Sequence, residues 1–493
     1  MLEVPHTAGL YPPFAGRRNS RRHAPAVDRR WPEGYKPPVT VSPARRIAAE
    51  VLLRVEQGGA FANLALDGAL RAAGALEPRE AALATELTYG TLRWQLQLDR
   101  AIAVHSERPS EELDANVRAA LRLSAFELLH HPRVPARAVV DQGVELVRAL
   151  GAARASGYAN AVLRRLSQTR APAPLPSREV DPAGHVAAAY AHPRWMVERW
   201  AKWLGFEEAE KLCAANQQQA PATVRVARRK TTRDEVRRAL REERIVSTPG
   251  EYSPDALVLA PGAPPALDIE GHEQGLFQSQ DEAAQLVSLY AAPPRGASVL
   301  DACAAPGGKA CHLAELGAAE VLAVDLHARK AKQIEEAAHR LGLDNVRALA
   351  ADAALPLPGD PSFDLVLLDA PCSGLGTLRR HPEAKLRRTP EDVDRLSQLQ
   401  ARLLASVSRA VKPGGLLVYA VCTLTPEECD EQVARFLAAH AEFQPEPPPA
   451  GWATPRAAVD CLDAQDHLLT LPQRTGTDGF FAVRLRKGPE ERR

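Results

Sequence analysis

A single short stretch, residues 297–309, limits what this chain of 493 residues can fold into. An apolar run ends at Asp301, small residues follow, and a Pro-Gly-Gly turn at 306–308 leads into a helical pattern. A strand, a glycine turn and a helix in this order are how an α/β sheet binds a nucleotide-like ligand at the carboxyl ends of its strands. Gly307 and Gly308 lack a Cβ, so the backbone can approach such a ligand closely.

The turn does not match the common phosphate-binding motifs. Position 303 is Cys rather than Gly, and no Ser or Thr follows Lys309, which excludes a Walker loop. The dinucleotide fingerprint G-x-G-x-x-G is also absent, which disfavours a nicotinamide-dependent oxidoreductase. An adenosine ligand without phosphates therefore fits the turn better.

Aspartates follow four of the apolar runs in this region. Parallel strands end at the same edge of a sheet, so the four carboxylates are expected to surround one site. Taken singly, such an aspartate is more often a helix cap or a turn residue, but four in register favour a site. The four residues are Asp301, Asp325, Asp352 and Asp369. The carboxylate of Asp325 suits the hydroxyls of a ribose.

Two cysteines are expected at the same edge. Cys372 closely follows Asp369, and Cys422 ends an apolar strand. The other cysteines are interpreted as core residues, because free cysteine is commonly buried. Residues 425–428, Thr-Pro-Glu-Glu, are typical of a helix start, and a helix N-terminus there would favour a thiolate at Cys422.

Composition excludes several classes of protein. The 62 Lys and Arg residues balance 61 Asp and Glu residues, so any nucleic-acid surface must be a local patch. No apolar run approaches the roughly 18 to 20 residues of a membrane span, and the N-terminus lacks a signal core, which predicts a cytoplasmic protein without a membrane partner. The seven cysteines form no C-x-x-C pair and have no matching His cluster, so no metal is expected and the cysteines should be thiols.

The chain divides into six predicted segments. Residues 42–168 carry regular apolar stripes and predict an all-α bundle. Residues 281–487 alternate strand and helix, which predicts a doubly wound, mostly parallel sheet with an antiparallel hairpin at one edge. The remaining segments are a disordered Pro- and Arg-rich tail (1–41), a Pro-rich linker (169–184), a small βαβ-like α+β subdomain (185–280) and a C-terminal tail (488–493).

Three phrases in the bundle resemble the RNA-binding helical domain named after the antitermination factor NusB. They lie at residues 59–66 (GAFANLAL), 86–94 (ELTYGTLRW) and 158–166 (YANAVLRRL). The resemblance implies that the bundle contacts RNA. Candidates for phosphate contacts are Arg93, Arg164 and Arg165, for which a solvated helix face is the alternative interpretation.

Four downstream motifs resemble the RNA cytosine-C5 methyltransferases, whose fold is the Rossmann-like class I methyltransferase sheet. The motifs are DACAAPGGK at 301–309, DAPCSG at 369–374, RHPE at 380–383 and YAVCT at 419–423. This resemblance implies S-adenosylmethionine as cofactor and RNA as partner, with small-subunit ribosomal RNA as the expected substrate and transfer RNA as an alternative. A non-catalytic, antitermination-like RNA-binding factor stays open as a different class of function, and a monomer is expected.

The same resemblance assigns roles to single residues. Cys422 would be the nucleophile that adds to cytosine C6, Cys372 would assist product release, and Asp369 would bind the N3 edge. Lys309 would lie near the base or the methionine carboxylate, and Arg380 and His381 would contact RNA. The implied cofactor-binding residues are Cys303, Ala304, Ala305, Pro306, Gly307, Gly308, Lys309, Asp325, Lys330, Asp352 and Asp369.

Overall fold

The computed structural model describes residues 40–106, 108–357 and 362–489. All but the last two residues of the predicted N-terminal tail, and the last four residues of the chain, lie outside this described part. No helix in the described ranges is long and apolar enough to cross a membrane.

Six helices form the first domain, as the apolar stripes predict. Ile47, Val51 and Val55 are buried along the first helix and share one core with the stripes of the others. Ser42 begins this helix by accepting a hydrogen bond from the Arg45 amide. The helices are α1 (Pro43–Gly58), α2 (Ala62–Ala72), α3 (Pro78–His105), α4 (Ala115–His130), α5 (Ala136–Ala149) and α6 (Ser156–Thr169).

Three further helices follow an irregular segment at residues 170–181. They pack against side chains of the C-terminal domain, including Leu375, Leu424 and Leu471. The fully buried Trp200 donates its indole N–H to the carbonyl of Leu424 at 2.8 Å. The helices therefore support the larger sheet described below. They are α7 (Pro182–Ala189), α8 (Arg194–Leu204) and α9 (Phe206–Asn216).

A four-stranded sheet with its own apolar core follows these helices. Its helix begins after Thr232, which forms a capping box with Glu235. The sequence predicted a βαβ-like order, but the strands pair antiparallel in the order β2-β3-β1-β4. Strand patterning does not encode which strands pair. The elements are β1 (Ala222–Val226), α10 (Arg233–Glu242), β2 (Ser247–Pro249), β3 (Ala256–Leu259), α11 (Glu270–Glu273) and β4 (Phe277–Ser279).

The C-terminal domain alternates strands and helices. Its elements are α12 (Glu282–Ala291), β5 (Ser298–Asp301), α13 (Gly308–Glu315), β6 (Glu320–Asp325), α14 (Ala328–Leu341), β7 (Val346–Ala350), β8 (Phe363–Asp369), α15 (Ala384–Arg387), α16 (Pro390–Val407), β9 (Val411–Val421), α17 (Asp430–Ala439), β10 (Phe443–Pro445), α18 (Pro455–Asp460), β11 (Leu468–Thr470), α19 (Pro472–Thr475) and β12 (Phe480–Lys487).

The large sheet has the strand order β10-β12-β9-β8-β5-β6-β7, and β11 also pairs with β12. The five strands from β9 to β7 run parallel, and β12 adds antiparallel to β9. The predicted doubly wound sheet with an antiparallel edge hairpin is thereby confirmed. Strand β5 lies between β8 and β6, where the chain reverses its direction across the sheet. Open α/β sheets bind ligands beyond the carboxyl ends of the strands at this point.

The helical bundle and the C-terminal domain are joined through α15. Arg387 donates hydrogen bonds to the carbonyls of Val55, Gly59 and Ala60 at the end of α1. Glu383 accepts from the Ala62 amide at 3.0 Å, at the start of α2. Three backbone carbonyls and one backbone amide at or next to helix ends lack partners within their own helices. Hydrogen bonds across the joint supply these partners.

Removing the Arg387 guanidinium should loosen this joint. We expect Arg387→Ala to increase the rate of tryptic cleavage within residues 170–181 roughly tenfold, because the lost hydrogen bonds contribute about 1–3 kcal/mol. Arg395→Ala is the matched control, since Arg395 is exposed and pairs only with Asp392 on its own helix. Equal cleavage of the two variants would show that α15 does not hold the bundle.

Candidate active site

Three of the four predicted aspartates end adjacent strands of the parallel sheet. Asp301 ends β5, Asp325 ends β6 and Asp369 ends β8. Asp352 lies two residues beyond the end of β7 and is exposed, with its carboxylate accepting from the Ala354 amide. The four acids therefore lie along one edge of the sheet, as the sequence predicts.

The glycine turn at residues 303–308 lies directly beyond β5. Gly307 has a φ of 99° and precedes α13, which begins at Gly308. A Cβ on Gly307 would lie 3.2 Å from the Cα of Ile334, so the turn and α14 approach each other closely. Cys303 is half-buried in this turn, and burial raises the pKa of its thiol. The turn thus presents backbone rather than a reactive side chain.

Asp301 is unusually deeply buried for an acidic residue. Its side chain is 1% exposed. Burial, followed by the charge of Asp369, raises the pKa of Asp301 to about 7. The carboxyl group is therefore largely protonated below neutral pH in the folded protein.

The predicted ribose acid lies at the neighbouring strand end. Asp325 is buried and accepts from the His327 amide at 3.2 Å, and Lys330 Nζ lies 3.9 Å from its carboxylate. The sequence did not single out two exposed leucines beside the acids. Leu326 and Leu355 are each 60% exposed, Leu326 directly after Asp325 and Leu355 in the turn after β7.

The two cysteines predicted to carry chemistry lie in contact. Cys372 Sγ is 3.4 Å from Cys422 Sγ. The hydrogen bond with Cys422, followed by burial, holds the pKa of the Cys372 thiol well above its usual value. Cys372 is thus a protonated thiol beside the Cys422 sulfur.

A lysine and an aspartate complete this cluster. Lys309 Nζ lies 2.6 Å from Asp369 Oδ2 and 5.1 Å from the centre of the Phe480 ring. Burial alone would lower the pKa of Lys309, but the charge and hydrogen bond of Asp369, together with the Cys422 sulfur, raise it. A cation, a carboxylate and two sulfurs therefore converge at one strand edge.

The helix expected just after Cys422 is absent, which corrects the sequence-based argument for its thiolate. Residues 425–428 form a turn, and α17 begins only at Asp430. The Thr425 hydroxyl donates to the Glu428 carboxylate at 2.9 Å instead of capping a helix. The positive charge near the Cys422 sulfur is thus the ammonium of Lys309 rather than a helix N-terminus.

Sequence reasoning missed a buried carboxylate beneath the cysteines. Glu428 is completely buried and accepts hydrogen bonds from Ser373, Thr425 and Gln400. One signal was present in the sequence. Gln400 interrupts the apolar stripe of α16, which includes Leu396 and Leu404, and a polar residue in such a stripe indicates a buried partner.

The predicted RNA contacts fall into two groups. Arg93 and Arg380 are internal: Arg93 donates to the Arg379 carbonyl across the domain joint, and Arg380 joins Asp281 to Asp478. Burial lowers the pKa of Arg93. The side chain of His381 is 38% exposed. Arg164 and Arg165 lie exposed on α6. A role in RNA binding stays a prediction for all five.

Comparison with known proteins matches every domain of the chain. A model described as 16S rRNA methyltransferase RsmB/F covers residues 288–486, and a NusB family model covers residues 42–168. A model described as the ferredoxin-like domain of RsmF/B-like methyltransferases covers residues 192–264.

Full-length relatives decide the family. A Bacillus subtilis protein named probable ribosomal RNA small subunit methyltransferase B is 35% identical, over 90% of this chain and 98% of its own. A Pseudomonas putida protein named ribosomal RNA small subunit methyltransferase B is 36% identical, over 90% of this chain and 98% of its own. The chain belongs to the RsmB family.

A solved structure extends the RsmB-family likeness to the whole fold. The crystal structure of the protein PH0851 is 27% identical, with a TM-score of 0.76, over 92% of this chain and 100% of that chain. The bundle, the small sheet and the large sheet therefore share their arrangement with an experimentally determined protein.

The raised pKa of Asp301 predicts a pH-dependent cost in stability. Between about pH 4 and pH 7 the unfolded state releases this proton while the folded state retains it, so stability falls as pH rises. The free energy of unfolding of Asp301→Asn should thus increasingly exceed that of the native protein as pH rises through this range. The difference should be on the order of a few kcal/mol above pH 7. Urea unfolding at several pH values measures this difference, with Asp344→Asn, a change at an exposed acid, as control. A pH-independent difference would contradict the assignment.

Proposed function

We propose that this RsmB-family chain transfers a methyl group from S-adenosylmethionine to C5 of a cytosine in RNA, with small-subunit ribosomal RNA as the substrate. The observation that carries this proposal is the contact between Cys372 and Cys422 beside the Lys309–Asp369 pair. Methylation at C5 requires both a nucleophile and a group that assists its release, and two thiols 3.4 Å apart meet this need.

The turn and its neighbours fit the proposed cofactor. The Gly307–Gly308 backbone has no side chain to obstruct an adenosine, and Asp325 lies one strand away with a carboxylate suited to ribose hydroxyls. The exposed Leu326 and Leu355 are apolar surfaces suited to the faces of an adenine. The bound cofactor would supply an electrophilic methyl group on a sulfonium.

The proposed reaction begins at Cys422. Cytosine C5 is a weak nucleophile, and addition of the Cys422 thiolate to C6 converts the ring to an enamine. Its C5 would then attack the methyl carbon as the bond from that carbon to the sulfonium sulfur breaks, and a neutral thioether would leave. The Lys309 ammonium attracts the thiolate before attack. Asp369 is suited to accept a hydrogen bond from a protonated N3, so that the electron pair displaced by addition at C6 neutralises N3 instead of leaving it negatively charged. The base must leave the RNA stack to reach this edge.

Product release requires loss of the C5 proton and departure of Cys422 from C6. The C5 proton passes to a water molecule at the site, the electrons of the C–H bond form the C5–C6 double bond, and the C6–S bond breaks to return a thiolate. Cys372, held as a thiol, donates a hydrogen bond to the departing sulfur and stabilises that thiolate. This division of roles explains why two cysteines, rather than one, lie at the edge.

The two cysteines should differ in the effect of their loss. Cys422→Ala should reduce methyl transfer by about 1,000-fold or more, because no adduct can form. Cys372→Ala should instead accumulate a covalent enzyme–RNA adduct, seen as a protein–RNA band that persists in denaturing electrophoresis.

Bisulfite sequencing of ribosomal and transfer RNA from a deletion strain would identify the methylated cytosine.

Cys461→Ala, which changes a buried free cysteine outside the cluster, is the control for both variants. Methylation by Cys422→Ala at the native rate would refute the mechanism.

Cofactor affinity should depend on the ribose acid. Asp325→Ala is expected to weaken S-adenosylmethionine binding about 10- to 100-fold, because one or two hydrogen bonds to a carboxylate are lost. Calorimetry measures the dissociation constant, and Asp344→Ala, at a carboxylate that is 97% exposed, should leave it unchanged. An unaltered affinity in Asp325→Ala would place the ribose elsewhere.

A further inference from the structure

A single carboxylate lies beneath both cysteine-bearing loops. Glu428 is 0% exposed. Its Oε1 accepts from the Ser373 amide at 2.8 Å and from Gln400 Nε2 at 2.9 Å. Its Oε2 accepts from the hydroxyls of Ser373 and Thr425 at 2.5 and 2.9 Å, and the Thr423 hydroxyl lies 3.3 Å away. Four donors thus converge on one buried side chain.

The donors connect Glu428 to both reactive sulfurs through adjacent residues. Ser373 directly follows Cys372, and Thr423 directly follows Cys422. The Thr423 hydroxyl donates to Ser373 Oγ at 2.6 Å, and Ser373 in turn donates to Glu428. The carboxylate therefore fixes the separation of the two loops one residue away from the sulfurs.

The two loops differ in how much other support they have. Cys422 directly follows the long strand β9, and its carbonyl accepts from the Gly376 amide at 3.1 Å. Cys372 lies in a loop without regular structure, between the end of β8 and residue 375. Besides Glu428, this loop is tethered by the Ala370 amide, which donates to the Ala420 carbonyl, by Gln400, which donates to the Pro371 carbonyl, and by Arg388, which donates to the Ser373 carbonyl. Because Cys422 adjoins a regular strand and Cys372 does not, Glu428 acts mainly on Cys372.

A carboxylate suits this place better than an amide. None of its four hydrogen bonds comes from a charged group, so the cost of burying this side chain is offset by neutral donors alone. Both carboxylate oxygens act as acceptors here, and each faces two donors. A glutamine would offer two donor hydrogens to groups that are already donating, and some of them would have to turn away.

We propose that Glu428 is a positioning residue that holds Cys372 against Cys422 for release of the methylated base. This inference rests on the proposed function, because it assigns Glu428 to the elimination step of that reaction. Its negative charge adds to the effects of Cys422 and of burial in raising the pKa of Cys372, with Asp369 acting in the same direction. The same side chain thus sets the location of the thiol and helps it retain its proton.

The test compares the full-length protein with Glu428→Gln in methyl transfer to ribosomal RNA. We expect a kcat reduced about 10- to 100-fold, as for a reacting group displaced by about 1 Å, with affinity for S-adenosylmethionine unchanged. Because the slowed step follows adduct formation, KM for RNA should fall with kcat and kcat/KM should be preserved. The covalent adduct should accumulate, as in Cys372→Ala. Because Glu428 acts through Cys372, the double variant should be no slower than Cys372→Ala alone.

Glu427→Gln is the matched control, since it makes the same change one residue away at a carboxylate that pairs with Arg199. It should retain native kcat and form no excess adduct. If Glu428→Gln does not fold, Ser373→Ala decides, because it removes one hydroxyl donor and should shift kcat and adduct in the same direction by a smaller factor.

Three results would overturn the inference. The first is native turnover without adduct in Glu428→Gln, or in Ser373→Ala where that variant decides. The second is a double variant whose loss of kcat is the product of the two single losses, and the third is a fall in affinity for S-adenosylmethionine as large as the fall in kcat. Failure of the proposed function is distinguishable from these. In that case the native protein itself would form no 5-methylcytosine, or Cys422→Ala would form as much of it.

Discussion

Five parallel strands that end at the same edge of one sheet are the constraint on which the site depends. Because β8, β5 and β6 are neighbours, Asp369, Asp301 and Asp325 are brought together without any long-range side-chain contact. Strand β9 then adds Cys422 beside Asp369, since Ala420 pairs with Asp369 in the register of these strands. The switch at β5 leaves room beyond the glycine turn for a ligand.

Charge at this edge is distributed unevenly, and the distribution matters for the proposed chemistry. Asp301 is neutral below about pH 7 because it is buried near Asp369, whereas Lys309 retains its charge against burial because it pairs with Asp369. The Cys372 thiol keeps its proton chiefly because of its hydrogen bond with Cys422 and its burial, and anionic neighbours act in the same direction. One edge thus holds a cation, an anion and a proton donor within reach of one sulfur.

Much of the architecture was predictable because it follows from local patterns. The apolar stripes predicted the bundle, and strand–helix alternation predicted the parallel sheet with its edge hairpin. The small sheet was only partly predictable, because β1 and β3 are recognisable as strands while their antiparallel pairing depends on tertiary packing.

The residues of the candidate site that end strands were predictable from the sequence. Those whose side chains form hydrogen bonds with residues distant in the sequence were not. The turn at 425–428 satisfies every local rule for a helix start, yet its Glu428 side chain is drawn into bonds with Ser373 and Gln400. Arg93 and Arg380 show the same limit, because a sequence does not distinguish an arginine that faces solvent from one that bridges elements.

The joint between the bundle and the catalytic domain is built largely on main-chain atoms. Arg387 binds three carbonyls, Lys385 binds the carbonyl of Arg93, and Glu383 binds an amide. Backbone groups are the same whatever side chain a residue carries, so mutations at Val55, Ala60 or Ala62 need not remove these bonds. Side chains on the bundle side of the joint can therefore change during evolution while the hydrogen bonds that attach the bundle are retained.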